Sequence, residues 1–367
     1  MALSPGRLAA LLARFRVHPD APPALQGGGH INDSYLVTGA GPDGPGRFLL
    51  QRLNPHVFPD GAPVITNGAR VAAHLAAAVR ADPVGGAGWR VPEPLHADDG
   101  VPGCRDADGA WWRVFPWLDG VRAIERVGTP AEAFAVGRAF GRFHAMLADF
   151  PGPPLVETLP GFHDTPARLA AFDRAVAGAV PDRLAGVAAE LAFVETHRVW
   201  VGLLAAADLP CRVVHNDAKA GNVLLDAATG EPVAVIDLDT VMMGTLLHDV
   251  GDLIRSGATH AAEDAAAEAP VAVDVAQFTA LVEGFAAGLA PVGLAPAERG
   301  LFVAAGLVIT FEQGLRFLAD HLAGDRYYRI QRPGQNLDRA RVQFRLAAAL
   351  GQGRRDLERI VAAVFGG

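Results

Sequence analysis

The spacing of apolar residues changes once along this chain, near Ala131, and this change restricts the folds that it can adopt. Beyond that point, segments rich in alanine and leucine repeat their apolar positions at helical spacing. These segments are 131–149, 166–178, 182–207, 272–290, 296–322 and 338–364. Two short apolar runs interrupt the series, Val223–Leu225 and Val233–Ile236, and the turn between them predicts a β-hairpin. The second part of the chain is therefore predicted to be mainly helical.

The part before Ala131 has the signals of strands and turns instead. The segment ALQGGGHINDSYLV at 24–37 leads from a glycine-rich turn into a strand, and RFLLQRLN at 47–54 is a second strand candidate. A helix is predicted at about 63–80, and short strands are predicted within 111–120. This part is therefore predicted to combine a small sheet with a helix.

The length of the chain is sufficient for two such bodies. It has 367 residues, of which 50% are hydrophobic, so it can bury a large core. We expect an α+β protein with two lobes. The small, β-rich N-terminal lobe is placed at 1–116, and the larger, mainly helical C-terminal lobe at 117–367.

Charge and cysteine content exclude several classes of function. The formal net charge is −8 and the chain has no basic run, which disfavours nucleic acid and anionic membranes as partners. No charge-free apolar stretch of about 18 residues is present, so we expect no membrane span. Cys104 and Cys211 form no CxxC pair, which favours a reducing compartment and a cytoplasmic protein. Monomer and homodimer both remain open.

Lysine usage singles out one position. Lys219 is the only lysine among 32 basic residues, and all the others are arginine. A mutational bias toward arginine explains the general pattern. A lysine that persists against this bias indicates a place where a compact ammonium group is needed and a planar guanidinium would not fit.

Lys219 lies inside a segment with the components needed for phosphoryl transfer. The sequence HNDAKAGN begins at His215, and the predicted hairpin then leads to IDLDT. Phosphoryl transfer needs a carboxylate to orient the attacking hydroxyl, oxygen ligands for a divalent cation, and a cation near the γ-phosphate. Asp217 suits the first role, Asn222 and Asp237 suit the second, and Lys219 suits the third.

This segment resembles the catalytic loop of protein kinases and, more closely, that of the aminoglycoside phosphotransferase and choline kinase-like superfamily. The resemblance implies a protein-kinase-like bilobal fold. Only twelve positions separate Asp237 from Asp249, which leaves no room for an activation segment that docks a polypeptide, so a small-molecule substrate is favoured. By the same resemblance, Asp249 would hydrogen-bond the backbone of the catalytic loop, and His215 would support it. Asp239 and Asp252 are candidates for supporting roles.

The resemblance also suggests residues that bind the nucleotide. The segment GGGHIN resembles a phosphate-covering loop, although an asparagine replaces its third glycine. The strand that follows carries no lysine, so Arg52 or Gln51 would have to bind phosphate, with Glu132 as a candidate partner. Phe115 and Trp117 lie where related kinases bind adenine. The predicted nucleotide-binding residues are Gly27, Gly28, Gly29, Asn32, Arg52, Phe115 and Trp117.

Further stretches are similar to the N-acetylhexosamine 1-kinases. They include FLLQRLNPHVFPD, WWRVFPWLDG, VIDLDTVMMG and FLADHLAGDRYYRI, and with the motifs above they spread over residues 27–344. This resemblance implies transfer of the γ-phosphate of ATP, with Mg²⁺, to the anomeric hydroxyl of GlcNAc or GalNAc, in carbohydrate metabolism. Asp33, Arg316 and Tyr328, with Tyr327, are the candidate sugar contacts.

Two alternatives remain open at this stage. The first is a kinase of an amino-alcohol or an aminoglycoside, which shares the same chemistry. The arginine-rich region 312–345 disfavours a polycationic substrate. The second is a nucleotide-binding pseudokinase, although Asp217, Asn222 and Asp237 are all retained. The chain has no GxxxxGK[ST], GxSxG or HExxH motif, which excludes P-loop, α/β-hydrolase and zincin chemistry.

Overall fold

The structure of the protein is a computed structural model. It describes residues 4–26, 31–82, 86–266 and 269–366. The helices are α1 Pro5–Arg14, α2 Gly61–Ala81, α3 Pro130–Met146, α4 Thr165–Gly178, α5 Pro181–Leu184, α6 Ala188–His197, α7 Gly202–Ala205, α8 Leu246–Gly257, α9 Val275–Leu289, α10 Pro296–Gly300, α11 Phe302–Leu322 and α12 Gln335–Phe365. The strands are β1 His18–Pro19, β2 Ala24–Gln26, β3 Asp33–Gly41, β4 Gly44–Arg52, β5 Cys104–Arg105, β6 Trp111–Pro116, β7 Val121–Ala123, β8 Arg212–Val214, β9 Val223–Asp226, β10 Pro232–Val235 and β11 Met242–Gly244. The mixed α+β architecture that the sequence predicts is confirmed.

Two compact units divide the chain. The first consists of residues 1–121, 150–159 and 236–242, and the second consists of 122–149, 160–235 and 243–367. The first unit is therefore discontinuous in sequence. The division at 116/117 that the sequence suggests stays a prediction.

The first unit is built on an antiparallel sheet with the strand order β1-β3-β4-β6-β5, in which β2 also pairs with β3. Alternate residues of each strand point to one face, and Val37, Leu50 and Trp112 are completely buried there. Leu12 of α1 and Phe15, which follows that helix, complete this core. The intervening residues of the same strands lie on the other face of the sheet.

The second unit is built on helices that pack closely. An added Cβ atom at Gly137 of α3 would lie 2.1 Å from the carbonyl oxygen of Leu281, and one at Gly284 of α9 would lie 2.1 Å from that of Phe134. Only glycine allows the two helices to approach this closely. Of the described helices, α11 alone has the length and hydropathy of a membrane span. However, 83% of its apolar 18-residue stretch is buried inside the protein, as in a core helix.

Helix α8 and the region 182–207 differ from the sequence-based expectation. The region was predicted as one helix, but it forms the short helices α5, α6 and α7, with a 3-10 turn at Arg198–Val201. Gly186 and Gly202 lie at the breaks, and glycine weakens a helix interior. Helix α8 was not predicted, although Leu246, Val250 and Leu253 are completely buried at helical spacing.

Candidate active site

A fully buried carboxylate fixes the start of the loop that follows β8. Asp249, in the first turn of α8, accepts hydrogen bonds from the backbone nitrogens of His215 at 2.7 Å and Asn216 at 2.6 Å. His144 Nε2 lies 3.0 Å from the same carboxylate. Burial opposes ionisation of Asp249, but His144 and the backbone donors outweigh it, so its pKa is below the ordinary value. The loop is therefore fixed by its own backbone.

The two residues that precede Asp217 are held in unusual positions. His215 is completely buried, its ring packs against Phe140 and Phe143, and its Nδ1 accepts a hydrogen bond from the backbone nitrogen of Asp217. Asn216 has a left-handed backbone with φ of 61°. Such a conformation is costly for a residue other than glycine and tends to occur at functional sites.

Asp217 is held by two donors within the same loop. Lys219 Nζ lies 2.6 Å from its Oδ2, and Asn222 Nδ2 donates to Oδ2 at 3.0 Å and to the Asp217 carbonyl oxygen at 2.8 Å. Burial opposes ionisation here as well, but the charge of Lys219 outweighs it and lowers the pKa of Asp217. The hydrogen bonds that the described residues donate to this carboxylate end on Oδ2. The arrangement can therefore present an ionised, oriented acceptor to a hydroxyl group.

Asp237 belongs to the first unit and has the same left-handed conformation as Asn216, with φ of 66°. A short 3-10 turn, Leu238–Thr240, follows it at once. Within this turn Asp239 is 5% exposed, and its carboxylate accepts from Asn32 Nδ2 at 2.7 Å and pairs with Arg113 at 2.5 Å. These contacts attach the turn to the sheet of the first unit.

Arg113 completes a row of polar side chains on that sheet. Ser34, Gln51 and Arg113 are paired partners on β3, β4 and β6. Gln51 Nε2 donates to Ser34, while its Oε1 accepts from Arg113 Nε at 3.1 Å and Nη2 at 2.9 Å. Arg113 is 4% exposed. The sheet of the first unit therefore carries a buried cation, Arg113, on β6. This strand is the neighbour of β4, the strand that carries no lysine.

Of the residues predicted for the phosphate site, those that the structure describes contact other residues of the chain. Gly27, Gly28 and Gly29 lie outside the described residues. Asn32 uses both ends of its amide, because its Oδ1 accepts from the backbone nitrogen of Asn54. Arg52 lies 3.8 Å from Asp33. Glu132, in the second unit, caps α3 and pairs with Arg122 at 2.8 Å.

The predicted adenine-binding segment extends from the end of β6. The ring of Phe115 lies under the guanidinium of Arg113 at 5.0 Å, and Phe115 is half-buried. The backbone nitrogen of Trp117 donates to the carbonyl oxygen of Arg47 at 2.9 Å, and Arg47 lies over the Trp117 ring. Trp117 is thus held at the edge of the sheet, and its backbone nitrogen is already used.

Of the predicted sugar contacts, Arg316 and Tyr328 lie together in the second unit, whereas Asp33 belongs to the first. The Arg316 guanidinium lies 4.7 Å from the ring centre of Phe162 and 5.8 Å from that of Tyr328. Gln313 accepts from Arg316 and donates to the Tyr328 hydroxyl. Tyr327 packs edge-on against Tyr328 but is 43% exposed. The cluster offers a planar donor between aromatic rings.

Sequence reasoning missed three functional candidates. They are Arg113 and the pair His163 and Glu312, of which His163 contacts the carbonyl oxygen of Asn216. A charged residue inside an apolar strand such as WWRVF was a usable signal for Arg113, because a buried charge needs a partner. His163 and Glu312 are 149 residues apart and carry no local signal.

The described residues hold no group of three or more His, Cys, Asp or Glu side chains that could bind a metal ion. A cation that is bound mainly by phosphate oxygens needs only one or two oxygen ligands from protein. The amide nitrogen of Asn222 is turned to Asp217, so its oxygen is directed elsewhere. The residues present therefore suit such an ion.

Comparisons with known proteins identify a family and several solved structures that this chain resembles. The profile described as "Phosphotransferase enzyme family" matches residues 25–281. A spectinomycin phosphotransferase, solved with ADP and spectinomycin, superposes with a TM-score of 0.58 at 11% identity over 96% of this chain and 100% of its own. An amicoumacin kinase, solved with AMP-PNP and Ca²⁺, gives 0.58 at 13% over 96% and 92%.

A microcompartment-associated aminopropanol kinase gives a TM-score of 0.57 at 17% identity over 96% of this chain and 98% of its own. At such low identities the structural likeness shows a shared fold. The profile covers well over half of the chain and includes residues 215–237. This chain belongs to the phosphotransferase enzyme family and is an enzyme that phosphorylates hydroxyl groups of small molecules.

Proposed function

We propose that the protein transfers the γ-phosphate of ATP to the anomeric hydroxyl of an N-acetylhexosamine, GlcNAc or GalNAc, and releases a sugar 1-phosphate in the cytoplasm. The observation that carries the chemistry is the arrangement at Asp217, an ionised carboxylate whose Oδ2 is held by Lys219 and Asn222. The sugar assignment rests on the sequence resemblance described above.

In the proposed mechanism, Asp217 accepts a hydrogen bond from the anomeric hydroxyl through Oδ1 and orients that hydroxyl in line with the γ-phosphate. Because its pKa is low, Asp217 acts mainly by orientation and takes the proton late in the transfer. Lys219 balances the negative charge of the transferred group. The left-handed Asn216 and the two backbone bonds to Asp249 keep the carboxylate in place.

Asn222 and Asp237 are the proposed ligands of Mg²⁺, through the amide oxygen of the former and the carboxylate of the latter. When bound, the ion would neutralise the phosphates of the nucleotide. Gly27–Gly29 would cover these phosphates, and Asn32 would contribute its backbone rather than its occupied side chain. Arg52, Phe115 and Trp117 remain the proposed contacts to the rest of the nucleotide. An ATP-dependent reaction agrees with the ADP and AMP-PNP bound in the two related structures.

The proposed sugar site is the cluster around Arg316 and Tyr328, with Asp33 as a further contact. Burial raises the pKa of the Tyr328 phenol, so it remains a donor. The guanidinium of Arg316 can donate to two neighbouring oxygen atoms. Arg168 and Arg316 raise the local positive potential, which disfavours a cationic acceptor. The main competing function is nevertheless phosphorylation of an amino-alcohol, because an aminopropanol kinase shares the fold.

A panel of acceptors tests the proposal. Coupled ADP release would be measured with Mg·ATP and GlcNAc, GalNAc, glucose, galactose, choline, aminopropanol or kanamycin. We expect turnover with an acetamido sugar and a phosphorus NMR signal that couples to the anomeric proton. Turnover with only an amino-alcohol would replace the sugar assignment, and nucleotide binding without turnover on any acceptor would contradict the proposal.

A further inference from the structure

His163, in the loop before α4, contacts the catalytic loop through one ring nitrogen and a buried carboxylate through the other. Its Nε2 lies 2.9 Å from the carbonyl oxygen of Asn216, the residue before Asp217. Its Nδ1 lies 2.8 Å from Glu312 Oε1 on α11. The side chains of His163 and Glu312 are 3% and 1% exposed. The contact thus joins the core helix to the catalytic loop.

Both atoms that face this ring are acceptors. A backbone carbonyl cannot donate, so Nε2 must carry a proton. Glu312 is also an acceptor: the Thr165 hydroxyl donates to its other oxygen at 2.5 Å, and the nearby charge of Arg316 favours the ionised form, in which neither oxygen carries a proton. A neutral imidazole has only one N–H group and could satisfy only one of these two contacts. The geometry therefore needs a proton on each ring nitrogen.

We propose that His163 is a positioning residue for phosphoryl transfer. As an imidazolium it donates one hydrogen bond to the Asn216 carbonyl oxygen and one to Glu312, and in this way it sets the orientation of Asp217. This inference rests on the proposed role of Asp217, but not on the identity of the sugar. It acts through the left-handed Asn216, whose φ of 61° must be maintained by its contacts.

The charges around His163 support the protonated form. Burial disfavours an imidazolium, but Glu312 outweighs it and raises the pKa of His163, while the same pair lowers the pKa of Glu312 to about 2. From α8, Asp252 adds negative potential. His248 lies 4.7 Å away ring to ring, and burial with the charge of His163 lowers its pKa to about 3, so it stays neutral.

Positive neighbours act in the other direction. Arg316 on α11 opposes protonation of His163, and Arg168 on α4 interacts with Glu312. The sign of the pH effect follows from the net upward shift. The contribution of the imidazolium is complete below the ordinary histidine value, about 6.5, and is lost as pH rises through the raised value. We therefore expect kcat to fall on the alkaline side.

Two variants separate this role from simple packing. His163→Gln keeps an N–H donor for Asn216 but removes the titrating ring, and we expect a roughly 10- to 100-fold lower kcat with the alkaline fall abolished. Glu312→Gln allows a neutral ring to keep its Nε2 donor, so we expect a smaller loss of kcat and again no alkaline fall. KM for ATP should change little in both.

The matched control is His197→Gln, because His197 is a half-buried histidine of the same unit whose Nδ1 contacts the Phe193 carbonyl oxygen within its own helix. We expect this variant to retain the wild-type kcat and the alkaline fall. An alkaline fall that persists unchanged in both His163→Gln and Glu312→Gln would overturn the proposal.

Nitrogen-15 NMR of histidine-labelled protein gives a readout that does not need activity. At pH 7 we expect both ring nitrogens of His163 to show the shifts of protonated nitrogens, with the signal assigned by its loss in His163→Gln. If that variant does not fold, the shift of the same signal in Glu312→Gln provides the assignment. A neutral His163 ring at pH 7 would refute the inference, even if the enzyme phosphorylates the proposed sugar. Failure of every acceptor with a protonated His163 would count against the proposed function alone.

Discussion

Replacing Arg113 with methionine removes one half of an ion pair that is almost completely shielded from solvent. The side chains of Arg113 and Asp239 are 5% and 6% exposed, and the guanidinium also donates twice to Gln51. In the variant, the Asp239 carboxylate would keep Asn32 as its neutral side-chain donor. Loss of one partner of a buried pair costs about 3–5 kcal/mol, because the remaining charge is left uncompensated.

Urea denaturation followed by tryptophan fluorescence would measure this cost. Trp89, Trp111, Trp112 and Trp117 lie in the first unit, whereas Trp200 is the only tryptophan of the second, so the signal reports mainly on the unit that holds the pair. For an m-value of about 3 kcal/mol/M, we expect the midpoint to fall by roughly 1–2 M.

The double variant with Asp239→Asn separates the pair from general packing. Because it removes both charges, we expect it to be more stable than the sum of the single changes implies, by about 1–3 kcal/mol. Arg7→Met is the matched control, since the Arg7–Asp108 pair is 44% and 60% exposed and should contribute less than about 1 kcal/mol. A midpoint for Arg113→Met that equals the midpoint for Arg7→Met would refute the reasoning.

Three further predictions concern aspartates of the candidate active site. Asp237→Ala should weaken binding of Mg·ATP in calorimetry by about tenfold or more while leaving metal-free ATP binding little changed; equal losses in both would count against a metal role. Asp249→Asn should lower the stability of the second unit by roughly 2–3 kcal/mol in thermal unfolding, because one of the two accepting oxygens becomes an NH2 donor that faces a backbone N–H group; an unchanged unfolding temperature would contradict this. Since the pKa of Asp217 is lowered, its contribution to kcat is lost only as pH falls through that lowered value. We therefore expect kcat to stay constant until pH is below the ordinary aspartate value of about 3.9. A decline centred near about pH 6 would exclude Asp217 as the titrating group.

The sequence predicted those parts of the molecule that depend on local patterns. The hairpin β9–β10 and the segment from His215 to Asp237 could be read from the spacing of apolar and polar residues. The spacing of apolar residues did not predict α8, because the buried Asp249 and Asp252 lie between its apolar positions. The segment was interpreted as part of a motif and not as a helix. Charged residues on a buried helical face hide the usual periodicity.

Contacts between distant residues were not accessible from one sequence. Arg113 and Asp239 are 126 positions apart, and His163 and Glu312 are 149 positions apart, so neither pair leaves a periodic signal. The unusual backbone of Asn216 and Asp237 was also not visible, because asparagine and aspartate are common in turns of every kind. Strand β4 carries no lysine, and the structure places the cation Arg113 on the neighbouring strand β6 instead.

The most direct test of the account is product analysis for wild type and Asp217→Asn with GlcNAc or GalNAc and Mg·ATP, followed by phosphorus NMR. The account predicts that wild type forms a phosphate ester coupled to the anomeric proton. It also predicts that Asp217→Asn loses at least about a hundredfold in kcat while ATP affinity changes little. Near-normal turnover by Asp217→Asn, or a wild-type product phosphorylated at another position, would contradict it.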